Sequence, residues 1–242
     1  MKLSRRHNIS VDEDNPYWLS FSDVLSGLLV LFILASLALI LELTETKEQV
    51  NEALNEIQQA EKARFNIIQQ VQDELQKEGV LVEVIENHTV LRIPEKQLAF
   101  RTNSYKLPRD KKTQEIVQKI GIAIHKAILA HNGLNYLDTV FIEGHTDSRP
   151  SRLNKGNWGL SAFRAISIWE FWNEKVHLAP EFNEMKNASG KALFSVSGYA
   201  ATRRVTTIEE TAEQRERNRR IDIRFTVKKP NSLELEMISE KL

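Results

Sequence analysis

The sequence predicts a membrane-anchored α/β protein, with a single N-terminal transmembrane helix, a helical coiled-coil stalk and a compact α/β sandwich domain. Three observations predict it. Val24–Leu41 is a run of 18 residues without a charge. Thr44–Glu78 contains neither proline nor glycine and repeats its apolar residues in heptads. After Gly79, short alternating or apolar runs take turns with helix-period segments, the pattern of helices layered on a sheet.

The span comes first. At about 1.5 Å per residue, the uncharged run reaches about 27 Å, close to the thickness of a bilayer's hydrocarbon core. Tyr17 and Trp18 stand where an interfacial aromatic belt would be. Lys2, Arg5 and Arg6 precede the run, and Lys47 is the one basic residue between Thr44 and Glu61. That bias puts residues 1–16 in the cytoplasm, the span at 17–43, and everything after it outside. A cleaved signal peptide is the alternative. The length of the run, and the position of Ala35-Ser-Leu-Ala38 inside it, favour an uncleaved anchor.

Asp23 lies in the first two turns of this helix. At mid-membrane an aspartate costs about 2.5–3.5 kcal/mol, and such residues usually face a partner or a wet cavity. Two readings stay open: an edge charge reaching headgroup water, and an ion carrier flanked by Ser20, Ser22 and Ser26.

In the stalk, 44–79, Val50, Ile57 and Val71 share one heptad position, and Leu54, Ile68 and Leu75 share the other. Glu61 and Arg64 interrupt the two registers. This spacing predicts a parallel dimeric coiled coil reaching about 52 Å. A helix packed on its own domain is the alternative.

The outer domain, 80–228, precedes a C-terminal tail, 229–242. VLVEVIENHTVLRI alternates around Asn87-His88 as a hairpin does. Pro108 is expected to open a helix whose apolar face is Ile116, Ile120, Ala123, Ile124, Ala127 and Ile128, ended by Asn132-Gly133. TVFIEG (139–144) reads as a buried strand, Leu160–Val176 as a helix, and LFSVSGY (193–199) as a strand. Glu209–Arg217 reads as a short charged helix, and RRIDIRFTV (219–227) as the last strand.

Composition narrows the function. The 242 residues carry 33 basic and 33 acidic side chains, so no basic surplus points to direct contact with nucleic acid. There is no cysteine, which excludes disulfides, thiolate metal sites and a cysteine nucleophile. The six histidines are scattered without an i, i+4 pair, and no metal or other cofactor is expected. No nucleophile elbow or triad order is recognisable near residues 145–148, so the chain does not read as an enzyme.

The polar loop 145–157 follows a strand and precedes a helix, where ligand sites commonly sit. Arg164 on that helix can turn back toward Asp147. An acid and a guanidinium in one cleft suit a zwitterionic ligand; a plain structural ion pair is the alternative.

FIEGHTDSRP, NWGLSAFRA (157–165), VSGY and NRRIDI (218–223) together resemble the peptidoglycan-binding domain of the OmpA and MotB family. PYWLSFSDVLSGLLVLFIL is similar to the transmembrane helix of MotB proteins, whose aspartate falls where Asp23 stands. The resemblance implies helices on one face of a mixed sheet, and Asp147 and Arg164 gripping the diaminopimelate of a cell-wall stem peptide. It further implies that Thr146, Asn157, Leu160 and Ser161 shape the pocket and that Arg220 borders it. It implies a single-pass protein of the bacterial inner membrane, dimeric inside a ring of a MotA-like subunit, passing protons or sodium ions by way of Asp23 and anchored to peptidoglycan. The rotor or effector on the cytoplasmic side is left unspecified. The NPYWLSFSDVL start resembles the B subunits of Zorya antiphage motors more than those of flagellar stators. A passive wall anchor is the rival reading. Ala200-Ala-Thr-Arg-Arg stands where the family is usually glycine-rich, and Phe163 replaces a polar residue. The segments 178–191 and 202–214 have no counterpart in the family pattern.

Overall fold

The computed structural model describes residues 16–229. Lys2, Arg5 and Arg6, on which the orientation of the span was argued, lie outside the described residues, as does all but the first residue of the tail. The chain divides into two compact units, one holding residues up to Glu52 and the other beginning at Ala53.

One helix, α1 (Pro16–Lys77), contains both the span and the stalk. Its first part is apolar on every side: Leu28, Leu29, Phe32 and Leu37 are all exposed. By length and composition it can cross a membrane. An apolar helix with no polar face finds no partner in water.

The later part of α1 differs from the expectation. Ala60, Ala63, Ile67, Ile68, Val71 and Leu75 are buried, and from Ile67 onward they belong to the hydrophobic core of the outer domain. The domain therefore begins near Ala60, not at residue 80. Ile68, Val71 and Leu75, read as a dimer seam, pack on their own domain. The two alanines widen the heptad seam into the broader stripe of a globular helix, and small residues let α1 lie close. Arg64 is not a break in a seam either: its Nε donates to the His88 carbonyl (3.2 Å), and the Phe65 ring packs at a tilt against the His88 ring, with centroids 4.4 Å apart.

The sheet is built from β1 (Glu83–Ile85), β2 (Val90–Pro94), β3 (Leu137–His145), β4 (Phe194–Gly198) and β5 (Arg220–Val227). Their order is β1-β2-β5-β3-β4. β3 and β4 are parallel, and the other pairs are antiparallel. The β1–β2 turn holds Glu86, Asn87 and His88 all at positive φ.

The helices are α2 (Glu95–Leu98), α3 (Lys111–Ala130), α4 (Gly133–Tyr136), α5 (Gly156–Lys175) and α6 (Ala212–Asn218). α3 starts three residues later than Pro108 suggested, because the Asp110 side chain caps it by accepting from the Thr113 amide at 2.9 Å. The single-turn helices α2 and α4 are too short to leave a period in the sequence.

Within the second unit, one face of the sheet is apolar and is covered by α3 and α5 and by the end of α1. Trp172 on α5 is fully buried, and its indole N–H donates to the Val117 carbonyl at 2.8 Å, tying α5 to α3. α5 passes so close to β3 and β4 that a Cβ on Gly144 or Gly198 would strike the backbone of Ser161 or Ala162. Those two glycines fix where α5, and therefore Arg164, sits over the sheet. The segment 178–191 closes one edge of the core with Phe182 and Met185, and the Pro180 carbonyl accepts from His125 Nε2 at 2.8 Å.

Candidate functional site

The polar end of β3 leads through Thr146 and Asp147 into the loop before α5. Asn157 organises that loop. Its Nδ2 donates to the carbonyls of Asp147 (3.2 Å) and Arg149 (3.0 Å), and its Oδ1 accepts from the Ser151 amide (2.9 Å).

Asp147 is buried. Its Oδ1 accepts from the Arg149 amide (3.1 Å), and its Oδ2 accepts from the Arg149 guanidinium (2.8 Å) and from Arg219 Nη1 (2.7 Å). Burial alone would push its carboxyl up, but Arg149 and Arg219 outweigh that and hold it below the usual range. Arg219 also donates through Nε to Glu95, and this pair of carboxylates holds its guanidinium above its ordinary value against the effect of burial. Burial pushes the Glu95 carboxyl up in spite of Arg219 and Arg164.

Arg164 does not turn to Asp147. Its Nε donates to the Ser104 carbonyl (3.0 Å) and its Nη2 to the Arg101 carbonyl (3.2 Å), while Nη1 reaches Glu95 at 3.4 Å. Phe100 lies against its guanidinium, 4.9 Å from ring centroid to Cζ. Burial lowers its pKa, with Glu95 opposing. The expected acid–guanidinium pair is thus made by Arg219, and Arg164 is joined to it through Glu95.

Thr146, Asn157 and Leu160 line the same cavity of about 440 Å³ as these four charges. Thr146 Oγ1 is buried with no hydrogen-bond partner among the described residues. Two expected residues are elsewhere. Ser161 is fully buried, with its Oγ accepting from the Ala200 amide (3.0 Å), so it pins the chain after β4 and does not line the cavity. Arg220 faces the opposite side of the sheet, where its Nε donates to Asp222 at 2.9 Å. Neighbouring strand residues point to opposite faces, so Arg219 lies at the site and Arg220 cannot.

A family model of the OmpA family matches residues 99–219, half of the chain. The chain belongs to the OmpA family. No curated protein matches its sequence. Among solved structures, a MotB-like protein from Desulfovibrio vulgaris is similar at 17% identity and TM-score 0.52, over 71% of this chain and 99% of that one. The cell wall anchor of the T6SS from Pseudomonas aeruginosa matches at 24% identity and TM-score 0.46, over 68% and 99%. The periplasmic domain of Helicobacter pylori MotB matches at 18% and 0.46, over 66% and 88%. The Desulfovibrio likeness is one of fold.

The 202–214 segment of this OmpA-family chain braces the site. Asn218, fully buried, accepts from the amides of Val205 (2.7 Å) and Thr206 (3.1 Å) and donates to Glu209. Glu209 in turn accepts from the Ser148 amide at 2.8 Å and from its hydroxyl. Sequence reasoning missed Glu95, Arg219 and Glu209. Arg219 shares the alternation of Ile221 and Ile223, a signal that separates it from Arg220 only once the face of β5 is known. Asp23 lies exposed on α1, within the first unit.

Proposed function

We propose that this chain is a single-pass inner-membrane subunit of MotB type, which anchors an ion-driven motor to peptidoglycan. The observation that carries the reading is the buried Asp147–Arg219–Glu95–Arg164 cluster at the end of β3, in an OmpA-family domain on a chain with a membrane-length apolar helix. A stem-peptide diaminopimelate is a zwitterion. Its ammonium replaces the Arg149 guanidinium on Asp147, since Arg149 is the exposed member of that pair. Its carboxylate meets the guanidinium side of the cavity, Arg164 and Arg219, with Thr146 Oγ1 free to take one further hydrogen bond.

The test is sedimentation of the full chain, in detergent, with purified cell wall. Asp147→Ala and Arg219→Ala are expected to abolish pelleting and Arg164→Ala to reduce it at least tenfold, while Arg149→Ala binds as well as the native chain or better. Unchanged pelleting by folded Asp147→Ala and Arg219→Ala would leave the cluster a structural ion network.

The finer reading is that protons or sodium ions pass by way of Asp23, in a dimer enclosed by a MotA-like ring. The retention of a carboxylate in an apolar span favours it over a passive anchor. Asp23→Asn keeps shape but not the titratable charge. It is expected to express and assemble normally and to lose all motor output, with Ser22→Ala as the milder control; full output would leave the passive anchor. The N-terminal resemblance favours Zorya-type antiphage defence over a flagellar stator, and gene neighbours distinguish the two: helicase or nuclease genes for defence, chemotaxis genes for motility.

A further inference from the structure

On the face of the sheet opposite the wall-binding cleft lies a second charged region. β5 sends Arg220, Asp222 and Arg224 to it, β3 sends Glu143 and His145, and β2 sends Arg92. A cavity of about 750 Å³ opens over them, in the size range of small-molecule sites and much larger than a lone inorganic ion requires.

Most of the charges there are already paired. Asp222 accepts from Arg92 (3.0 and 3.1 Å) and from Arg220 (2.9 Å). Glu143 accepts from Arg224 at 2.9 and 3.2 Å, and Glu86 at the rim takes the remaining Arg224 bond at 2.7 Å. Two arginines are left over. Arg203 lies over the Tyr199 ring (3.7 Å) and comes only within 4.0 Å of Glu143. Arg204 donates to the Thr207 carbonyl at 3.3 Å. Both are exposed and both line the cavity. They belong to the Ala200–Arg204 stretch that departs from the family pattern.

His145 is the second, independent observation. It is 1% exposed, lines this cavity, and neither ring nitrogen has a hydrogen-bond partner among the described residues. Its closest charge is Asp222 Oδ2 at 3.4 Å, and it stacks on Tyr199. Burial, reinforced by Arg220, lowers its pKa to about 3, so the ring is neutral and carries one N–H donor.

Glu143, His145 and Asp222 bring possible ligand atoms within 4.8 Å of one another, as a metal site would. The charge argues otherwise. Five arginines and three carboxylates line the cavity, and a divalent cation would have to displace guanidinium groups to reach either inner carboxylate. An anion meets the surplus instead.

We propose that this cavity binds an organic oxyanion of about sugar size, its phosphate or carboxylate held by Arg203 and Arg204, with His145 donating a ring N–H and Tyr199 supplying an apolar wall. The site is separate from the wall-binding cleft and does not rest on that reading.

Isothermal titration of the full chain in detergent tests it, with glucose 6-phosphate, glucuronate, inorganic phosphate and Zn²⁺ in separate arms. Saturable binding of glucose 6-phosphate or glucuronate is expected, weakened at least tenfold in the folded double variant Arg203→Ala/Arg204→Ala and unchanged in Asp147→Ala. A shift of the His145 imidazole resonances on ligand addition is expected too. No binding of either organic anion at millimolar concentration, or equal affinity in the double variant, overturns the proposal. Inorganic phosphate binding as tightly as glucose 6-phosphate overturns the sugar-sized ligand, and Zn²⁺ binding that shifts His145 while the organic anions do not bind establishes a metal site instead.

Discussion

The two faces of the sheet are both buried, by opposite means. One packs Leu91, Ile93, Val140, Ile142, Ile221 and Ile223 under helices. The other buries Glu143, His145, Arg220 and Asp222 against one another. Apolar burial is additive, non-directional and nearly indifferent to pH. Buried charge holds only while each group keeps its partner and its protonation state. The apolar face therefore sets how stable the domain is, and the charged face sets the conditions under which it stays so.

Removing part of the apolar face gives the largest expected effect. A fragment beginning at Val80, where the sequence placed the domain boundary, lacks Ile67, Ile68, Val71 and Leu75. Each contributes about 1.5–3 kcal/mol on burial, and together they approach the whole stability of an ordinary domain, about 5–15 kcal/mol. The Val80 fragment is expected to be unfolded by circular dichroism and rapidly proteolysed, while one beginning at Ala53 folds. Ile68→Ala in the longer fragment is the milder form, at about 2–5 kcal/mol in urea unfolding. A folded Val80 fragment would return α1 to the role of a separate stalk.

The charged face is expected to respond to acid. The folded value of His145 is lowered from 6.5 to about 3, so the unfolded chain takes up that proton first and stability falls as pH drops from about 6.5 toward 3. The groups around the ring are Asp222, Arg220, Arg92 and Arg203. Asp222 is itself held below its usual range by Arg92 and Arg220 against burial, so its pairs are lost only at lower pH. Glu95 is raised, and acts with the opposite sign. Between pH 6.5 and 4.5, His145 alone accounts for a loss of about 2–3 kcal/mol, at about 1.4 kcal/mol per pH unit. His145→Gln is expected to remove that slope, and Ile68→Ala to leave it unchanged. A slope that survives in His145→Gln would assign it to other groups.

The apolar face was largely legible in the sequence, because period reveals it. The runs TVFIEG and RRIDIRFTV gave β3 and β5, and the spacing of Ile120, Ala123, Ile124 and Ala127 gave α3. What failed was composed of small or single residues. Ala60 and Ala63 do not stand out as core, so the end of α1 read as a seam. The site was half legible. The polar loop after β3 pointed to Asp147, Thr146 and Asn157, but the choice between Arg219 and Arg220 depends on strand register, where a slip of one residue changes the face. Glu95 could not be placed, since nothing local links it to a loop some fifty residues away. The Glu143–His145–Asp222 cluster was invisible for the same reason: it exists only once β3 and β5 pair.

The smallest effect separates depth from charge on the same face. Arg224 bridges two carboxylates: Glu143, whose side chain is 1% exposed, and Glu86, at 52%. The two contacts are similar in length, 2.9 and 2.7 Å, so distance cannot distinguish them. Burial does. Glu86 is largely solvated whether or not the pair forms, and holding two long side chains in one geometry offsets most of the Coulomb gain; such a pair contributes about 0–1 kcal/mol. Glu86→Gln is therefore expected to change urea unfolding by less than about 1 kcal/mol, and by less still at high salt, where exposed charges are screened. Glu143→Gln leaves Arg224 and the Tyr199 hydroxyl, 3.4 Å from Glu143, facing a neutral amide in a buried setting, and is expected to cost about 3–5 kcal/mol with little salt dependence. Equal costs for the two substitutions would mean that the hairpin tip carrying Glu86 is as much a part of the charged face as the strands beneath it.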